Sequence, residues 1–151
     1  MKLLITAPRL SPHYNPEAIC TTKLLVDFAE YVDHLHVVTA TSGSPLEDLS
    51  NVDIHIVEGY EDESLAGRAH RLWNRYPEDG WSWARRASKT VESLHRDADL
   101  IYSRGLPFTA HLAAWFSRPT IPWVAHFSDP WPSWPEEDFG KDERGWRYLW
   151  H

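Results

Sequence analysis

The chain has 151 residues, 42% of them apolar and 25% charged. That is the composition of a folded domain rather than a disordered segment. A formal net charge of −7 argues against nucleic acid as a partner, because its phosphates are bound through Lys and Arg. A single cysteine, Cys20, excludes an internal disulfide and a cysteine-built zinc centre, and fits a reducing, cytoplasmic setting.

Lys2–Ala7 is a short apolar run that predicts the first strand. It stops at Thr6-Ala7-Pro8, too soon for a signal peptide, and no later stretch is long enough to cross a bilayer. Pro8–Pro16 is a proline-rich loop. Glu17–Val32 predicts a helix, with Leu25, Phe28, Ala29 and Val32 at i, i+3, i+4 and i+7. His36–Ala40 is a second, β-branched strand. Thr41–Ser50 is turn-rich, and Asp53–Glu58 predicts a third strand in which Ile54 and Ile56 alternate with polar neighbours. Ser64–Arg75 is a short, weakly patterned helix ended by Pro77-Glu78-Asp79-Gly80. Trp81–Arg96 is a helix with Ala84, Ala87, Ser88, Val91 and Leu94 on one side. Leu100–Ser103 is the fourth strand, Pro107–Ser117 a short helix with Pro107 near its first turn, and Trp123–Ser128 the fifth strand. Asp129–His151 is rich in prolines and charges, then aromatic.

This alternation predicts an α/β fold: a Rossmann-like, doubly wound parallel sheet with helices on both faces. With strand order 3-2-1-4-5, the order reverses between strands one and four. The loops Pro8–Asn15, Ser103–Pro107 and Ser128–Trp134 then converge on the C-terminal edge, where ligands of such sheets bind. The expected division is a domain over residues 1–132 and an aromatic, charged segment over 133–151.

The candidate residues lie in these loops. Asp129 ends the fifth strand and precedes Pro130, which holds it extended. It reads either as a carboxylate facing sugar hydroxyls or as a turn opener. Tyr14 and Asn15 offer donors and acceptors suited to polyols, and Arg9 and His13 share their loop; Asn15 reads equally as the N-cap of the next helix. Arg104 reads as a ligand for phosphate or carboxylate, or as an ion-pair partner of Asp129. His126, His70 and His111 read as packing residues. The loop after strand one holds no glycine, so no G-x-G-x-x-G fingerprint is present, and neither a Walker loop nor G-x-S-x-G appears. The nine histidines form no H-x-x-x-H pair with a suitable carboxylate, so no metal site is expected. There are also nine tryptophans, with Trp123, Trp131, Trp134, Trp146 and Trp150 gathered towards the C-terminus, where packing and contact roles stand about level.

Asp99-Leu100-Ile101-Tyr102-Ser103-Arg104, Pro107–Leu112 and Ile121–Trp131, ending Phe127-Ser128-Asp129-Pro130-Trp131, resemble the N-terminal domain of family-4 type glycosyltransferases of GT-B architecture. The first strand, the His13-Tyr14-Asn15-Pro16-Glu17-Ala18 segment and His36–Ala40 agree with it. The resemblance implies two Rossmann-like domains facing across a cleft. The N-terminal one binds the acceptor. The C-terminal one holds the nucleotide sugar and a glutamate-containing motif, and transfer is retaining and usually metal-independent. In this light Asp129 is the candidate catalytic residue, and His13, Tyr14, Asn15, Ser103, Arg104, His126 and Trp131 are the candidate substrate-binding residues. His126 and Ser128 stand where related sequences often carry acidic and basic side chains.

The expected function is acceptor binding for sugar transfer from a nucleotide sugar to a glycan or lipid-linked, cell-envelope acceptor. No cofactor is expected; the nucleotide sugar is a co-substrate held mainly by a donor domain, in this chain's continuation or in a separate chain. Trp146-Arg147-Tyr148-Leu149-Trp150-His151 looks like an apolar-faced helix cut off, which suggests a truncated, excised or split enzyme. Two alternatives are a non-catalytic acceptor- or partner-binding module, and a peripheral membrane or docking protein using the C-terminal tryptophans. The expected location is the cytoplasm, including the inner membrane surface.

Overall fold

The computed structural model describes residues 1–12, 15–60, 80–105 and 108–128. The helix expected at Ser64–Arg75 and the segment 133–151 lie outside these residues. The described strands are β1 (Lys2–Thr6), β2 (His34–Thr39), β3 (Val52–Ile56), β4 (Leu100–Arg104) and β5 (Trp123–His126). The described helices are α1 (Pro16–Tyr31), α2 (Trp81–Leu94) and α3 (Thr109–Phe116). The strands form one parallel sheet in the order β3-β2-β1-β4-β5. This is the expected Rossmann-like, doubly wound arrangement, with its reversal between β1 and β4.

Alternation along each strand sorts residues to two covered faces. Leu3, Ile5, Leu35 and Val37 pack with Leu25 and Ala29 of α1. Leu4, Val38 and Ile101 pack on the other face with Trp83, Ala84, Ala87 and Val91 of α2 and Ala113 and Ala114 of α3. Trp83 is fully buried and donates its indole N–H to the Val57 carbonyl at 2.7 Å, which satisfies its one polar atom.

Several boundaries differ from the expected ones. β2 begins at His34 because His34 and Leu35 pair with Lys2 and Leu3; the polar side chains of His34 and His36 mask this in the sequence. The predicted helix from Trp81 to Arg96 tightens into a 3₁₀ turn at His95–Asp97. Within the polar stretch Thr41–Ser50, residues Pro45–Asp48 form another 3₁₀ turn. Ser44 and Glu47 close it as a reciprocal capping box, and Leu46 is buried under the β1–β2 side of the sheet. Among the described residues no helix is long and apolar enough to cross a membrane.

Gly80 opens α2 at φ 101°. A Cβ there would lie 2.6 Å from Tyr60 Cε2 and 3.0 Å from Thr109 Cγ2, so both the backbone angle and the space require glycine. Gly80→Ala is expected to lower unfolding free energy by about 1–3 kcal/mol, read as a fall in the urea midpoint at an unchanged slope.

Candidate functional site

At the C-terminal edge, α1, β4 and β5 bring a set of polar side chains together on the α1 face of the sheet. Residues two apart share a face, so Tyr102 and Arg104 point the same way. The β4–β5 register sets His126 directly beside Arg104. Arg104 approaches His126 Nδ1 at 3.0 Å through Nη1, and its Nε donates to Thr21 Oγ1 at 3.1 Å. The same Nε stands 3.5 Å from Glu17 Oε1. Ser128 Oγ donates to Glu17 Oε1 at 2.6 Å, and Thr21 Oγ1 reaches that oxygen at 3.4 Å. Glu17 is therefore the common acceptor that ties the ends of β4 and β5 to the first turn of α1. A carboxylate is favoured there by the helix dipole.

A guanidinium can only donate, so the His126 ring accepts from Arg104 Nη1, which stands 3.0 Å from Nδ1 and 3.4 Å from Nε2. Tyr102 Oη also meets Nδ1, in a short hydrogen bond, and its ring stands edge-on to both Phe28 and His126. Burial, and then the neighbouring Arg104 charge, push the His126 pKa below its ordinary value, although Glu17 opposes this. Burial raises that of Tyr102. His126 is thus a neutral acceptor held by a permanent cation.

Ser103 points to the opposite face. It is 0% exposed. Its oxygen accepts the Trp123 indole N–H at 2.7 Å, which leaves its own proton for His111 Nδ1, also at 2.7 Å. This Trp123–Ser103–His111 relay locks β4, β5 and α3 together. His111 Nε2 is buried without a hydrogen-bond partner among the described residues. Burial, with a smaller repulsion from His126, depresses the His111 pKa to about 4. The pair has the residue types of a nucleophile and its base, but the serine is fully buried and its oxygen is already occupied by the Trp123 N–H.

Among the sequence candidates, Arg104 and His126 come together. Asn15 is an N-cap: its Oδ1 accepts the Glu17 N–H at 2.8 Å. Ser103 stands apart on the other face. Asp129, His13, Tyr14 and Trp131, and with Asp129 the expected pairing with Arg104, lie outside the described residues; among the described ones, the carboxylate facing Arg104 is that of Glu17. Arg9 lies over the Tyr60 ring, 5.0 Å from its centroid. Glu17, Thr21 and Tyr102 were not singled out from the sequence. Two signals point to them: the first turn of the helix after strand one reaches the ligand-binding edge, and Tyr102 is two residues before Arg104.

No family model and no curated protein matches the chain. Among solved structures, it is similar to the C-terminal domain (residues 78–226) of a hydrogenase from Pyrococcus furiosus, at a TM-score of 0.50 and 10% identity, over 82% of this chain and 89% of that one. At that identity the likeness concerns the fold alone.

Two outcomes follow from this geometry. Glu17→Ala removes the shared acceptor of Arg104, Thr21 and Ser128 and should cost about 1.5–3 kcal/mol in chemical denaturation. For His111, the folded pKa of about 4 lies below its ordinary 6.5. The unfolded chain therefore binds the proton first. The neutral-buried state is without penalty above about pH 6.5, and stability falls as pH drops towards 4, by about 3 kcal/mol over that window. Urea midpoints between pH 7 and 4 should fall less steeply for His111→Gln than for the parent; parallel slopes would show that His111 is not the titrating group.

Proposed function

We propose that this chain is the acceptor-binding half of a GT-B glycosyltransferase, which transfers a sugar from a nucleotide sugar to a glycan or lipid-linked acceptor. The observation that carries the proposal is the hydrogen-bonded set Glu17, Arg104, His126 and Ser128 at the C-terminal edge, beside the reversal of strand order between β1 and β4. The sequence likeness of Asp99–Trp131 to such domains supports it. The nucleotide sugar would be held by a second, donor domain. The part of this domain would be orientation of the acceptor and fixed charge near it. Asp129, which follows Ser128 directly, is the residue proposed to act on the acceptor, and Asn15, Arg104 and His126 to shape its site. A cytoplasmic location, with acceptor reached at the inner membrane surface, fits this role and the single cysteine.

A second reading, a binding module without catalysis, is favoured by one feature. The described polar groups at this edge are satisfied by each other, and the Ser103–His111 pair is buried. The partly exposed Ser128 hydroxyl at this edge is engaged by the Glu17 carboxylate, which also faces Arg104.

The test combines amide chemical-shift mapping with a transfer assay. With oligosaccharide acceptors, the amides of Arg104, Gly105 and Ser128 should shift, and Arg104→Lys should weaken binding roughly tenfold by losing the planar fork. Nucleotide sugars alone should leave the spectrum unchanged, and transfer should require an added donor domain. Tight nucleotide-sugar binding by this chain alone would overturn the assignment of the acceptor half. Acceptor binding without transfer under any supply of donor domain would favour the module.

A further inference from the structure

A second polar assembly lies at the other end of the sheet and on its other face. His34 and His36 are two residues apart in β2, so their rings project together; they meet in a T-shaped arrangement with centroids 4.5 Å apart. The β2–β3 register places Asp53 beside His36, and His55, two residues further, falls on the same face. His34 Nε2 is 2.9 Å from Asp53 Oδ2, and His36 Nδ1 is 3.7 Å from the same oxygen. One ligand atom from each of His34, His36 and Asp53 lies within 4.8 Å of the others. His55 Nε2 is 3.3 Å from His36 Nδ1.

We propose that His34, His36 and Asp53 form a binding site for a divalent transition-metal ion of the zinc class. Two nitrogens and a carboxylate are a donor set such ions take. Metal–ligand bonds of about 2.0–2.2 Å in a tetrahedral site put donor atoms about 3.4 Å apart. The observed 2.9 and 3.7 Å spacings bracket that value. A second feature points the same way. His36 is 7% exposed, yet its other nitrogen, Nε2, has no hydrogen-bond partner among the described residues. The carboxylate oxygen that faces it, Asp97 Oδ2, stands 3.9 Å off. Asp97 itself is held by Lys2 Nζ at 2.7 Å. With Nδ1 on a metal, the Nε2–H points to this carboxylate, the outer arrangement that orients metal-bound histidines. Asp53, whose side chain is 59% exposed, leaves the site open to solvent. Periodic spacing within one helix does not reveal this set, because its members come from two neighbouring strands. It stands against the sequence expectation of no metal site, and it does not depend on the sugar-transfer proposal.

The test is calorimetric titration of the untagged, metal-stripped chain with Zn²⁺, with Co²⁺ absorption reporting the ligand geometry. One ion per chain should bind at micromolar or tighter affinity. Saturation at about a hundredfold excess over Kd should raise Tm by roughly 5 °C. His34→Gln and Asp53→Asn, both at partly exposed positions, should each weaken binding at least tenfold while keeping the parent circular dichroism; Cys20→Ser should leave it unchanged. No binding at about 100 μM Zn²⁺, or affinity within about twofold of parent in both His34→Gln and Asp53→Asn, would overturn the proposal.

Discussion

Leu3, Leu4 and Ile5 are consecutive, so their side chains leave β1 on alternating faces, and each is almost fully buried. A parallel strand in that position must be covered above and below. Covering one face uses α1; covering the other uses α2 and α3. Once β1 is central, with β2 on one side and β4 on the other, helix starts and strand ends have to gather at one edge. The position of the Arg104 assembly is a result of that burial.

Electrostatics then refine what burial sets out. Arg104 is a charge kept close to the core, its side chain only 11% exposed. Such a group is tolerable only when its donors are met. Glu17, Thr21 and His126 meet them, and each comes from a different place: the start of a helix, its next turn, and a neighbouring strand. The same contacts fix the ends of β4 and β5, so positioning and stability are supplied by one set of bonds. On the opposite face, the relay from Trp123 through Ser103 to His111 has a similar effect without any formal charge.

Much of the fold was legible because hydrophobic spacing reports burial directly. Leu25 and Ala29, or Ala84, Ala87 and Val91, repeat at helical intervals and are core residues. The alternation of elements predicted a parallel sheet, and the observed strand order is the one taken for it. What did not show was anything that depends on register between separate strands. Glu17 reads locally as an ordinary acidic residue in a first turn; its importance needs Arg104 and Ser128, both distant in sequence. Leu46 was hidden in a polar stretch because a capping box, rather than a long apolar pattern, holds it in place. His34 reads as a linker residue until its pairing with Lys2 puts it on the strand. Ser103 and Arg104 were grouped as neighbours in the chain, whereas strand alternation sends them to opposite faces.

The Arg104 and His36 assemblies differ in both face and end of the sheet, with a separation on the order of 15 Å by strand spacing and rise. That exceeds the screening length in physiological salt and the range over which neighbouring substitutions ordinarily couple. Their energetic effects should therefore add. In evolutionary terms, either end of the molecule is free to drift, to gain a ligand or to lose one, while the other keeps its geometry.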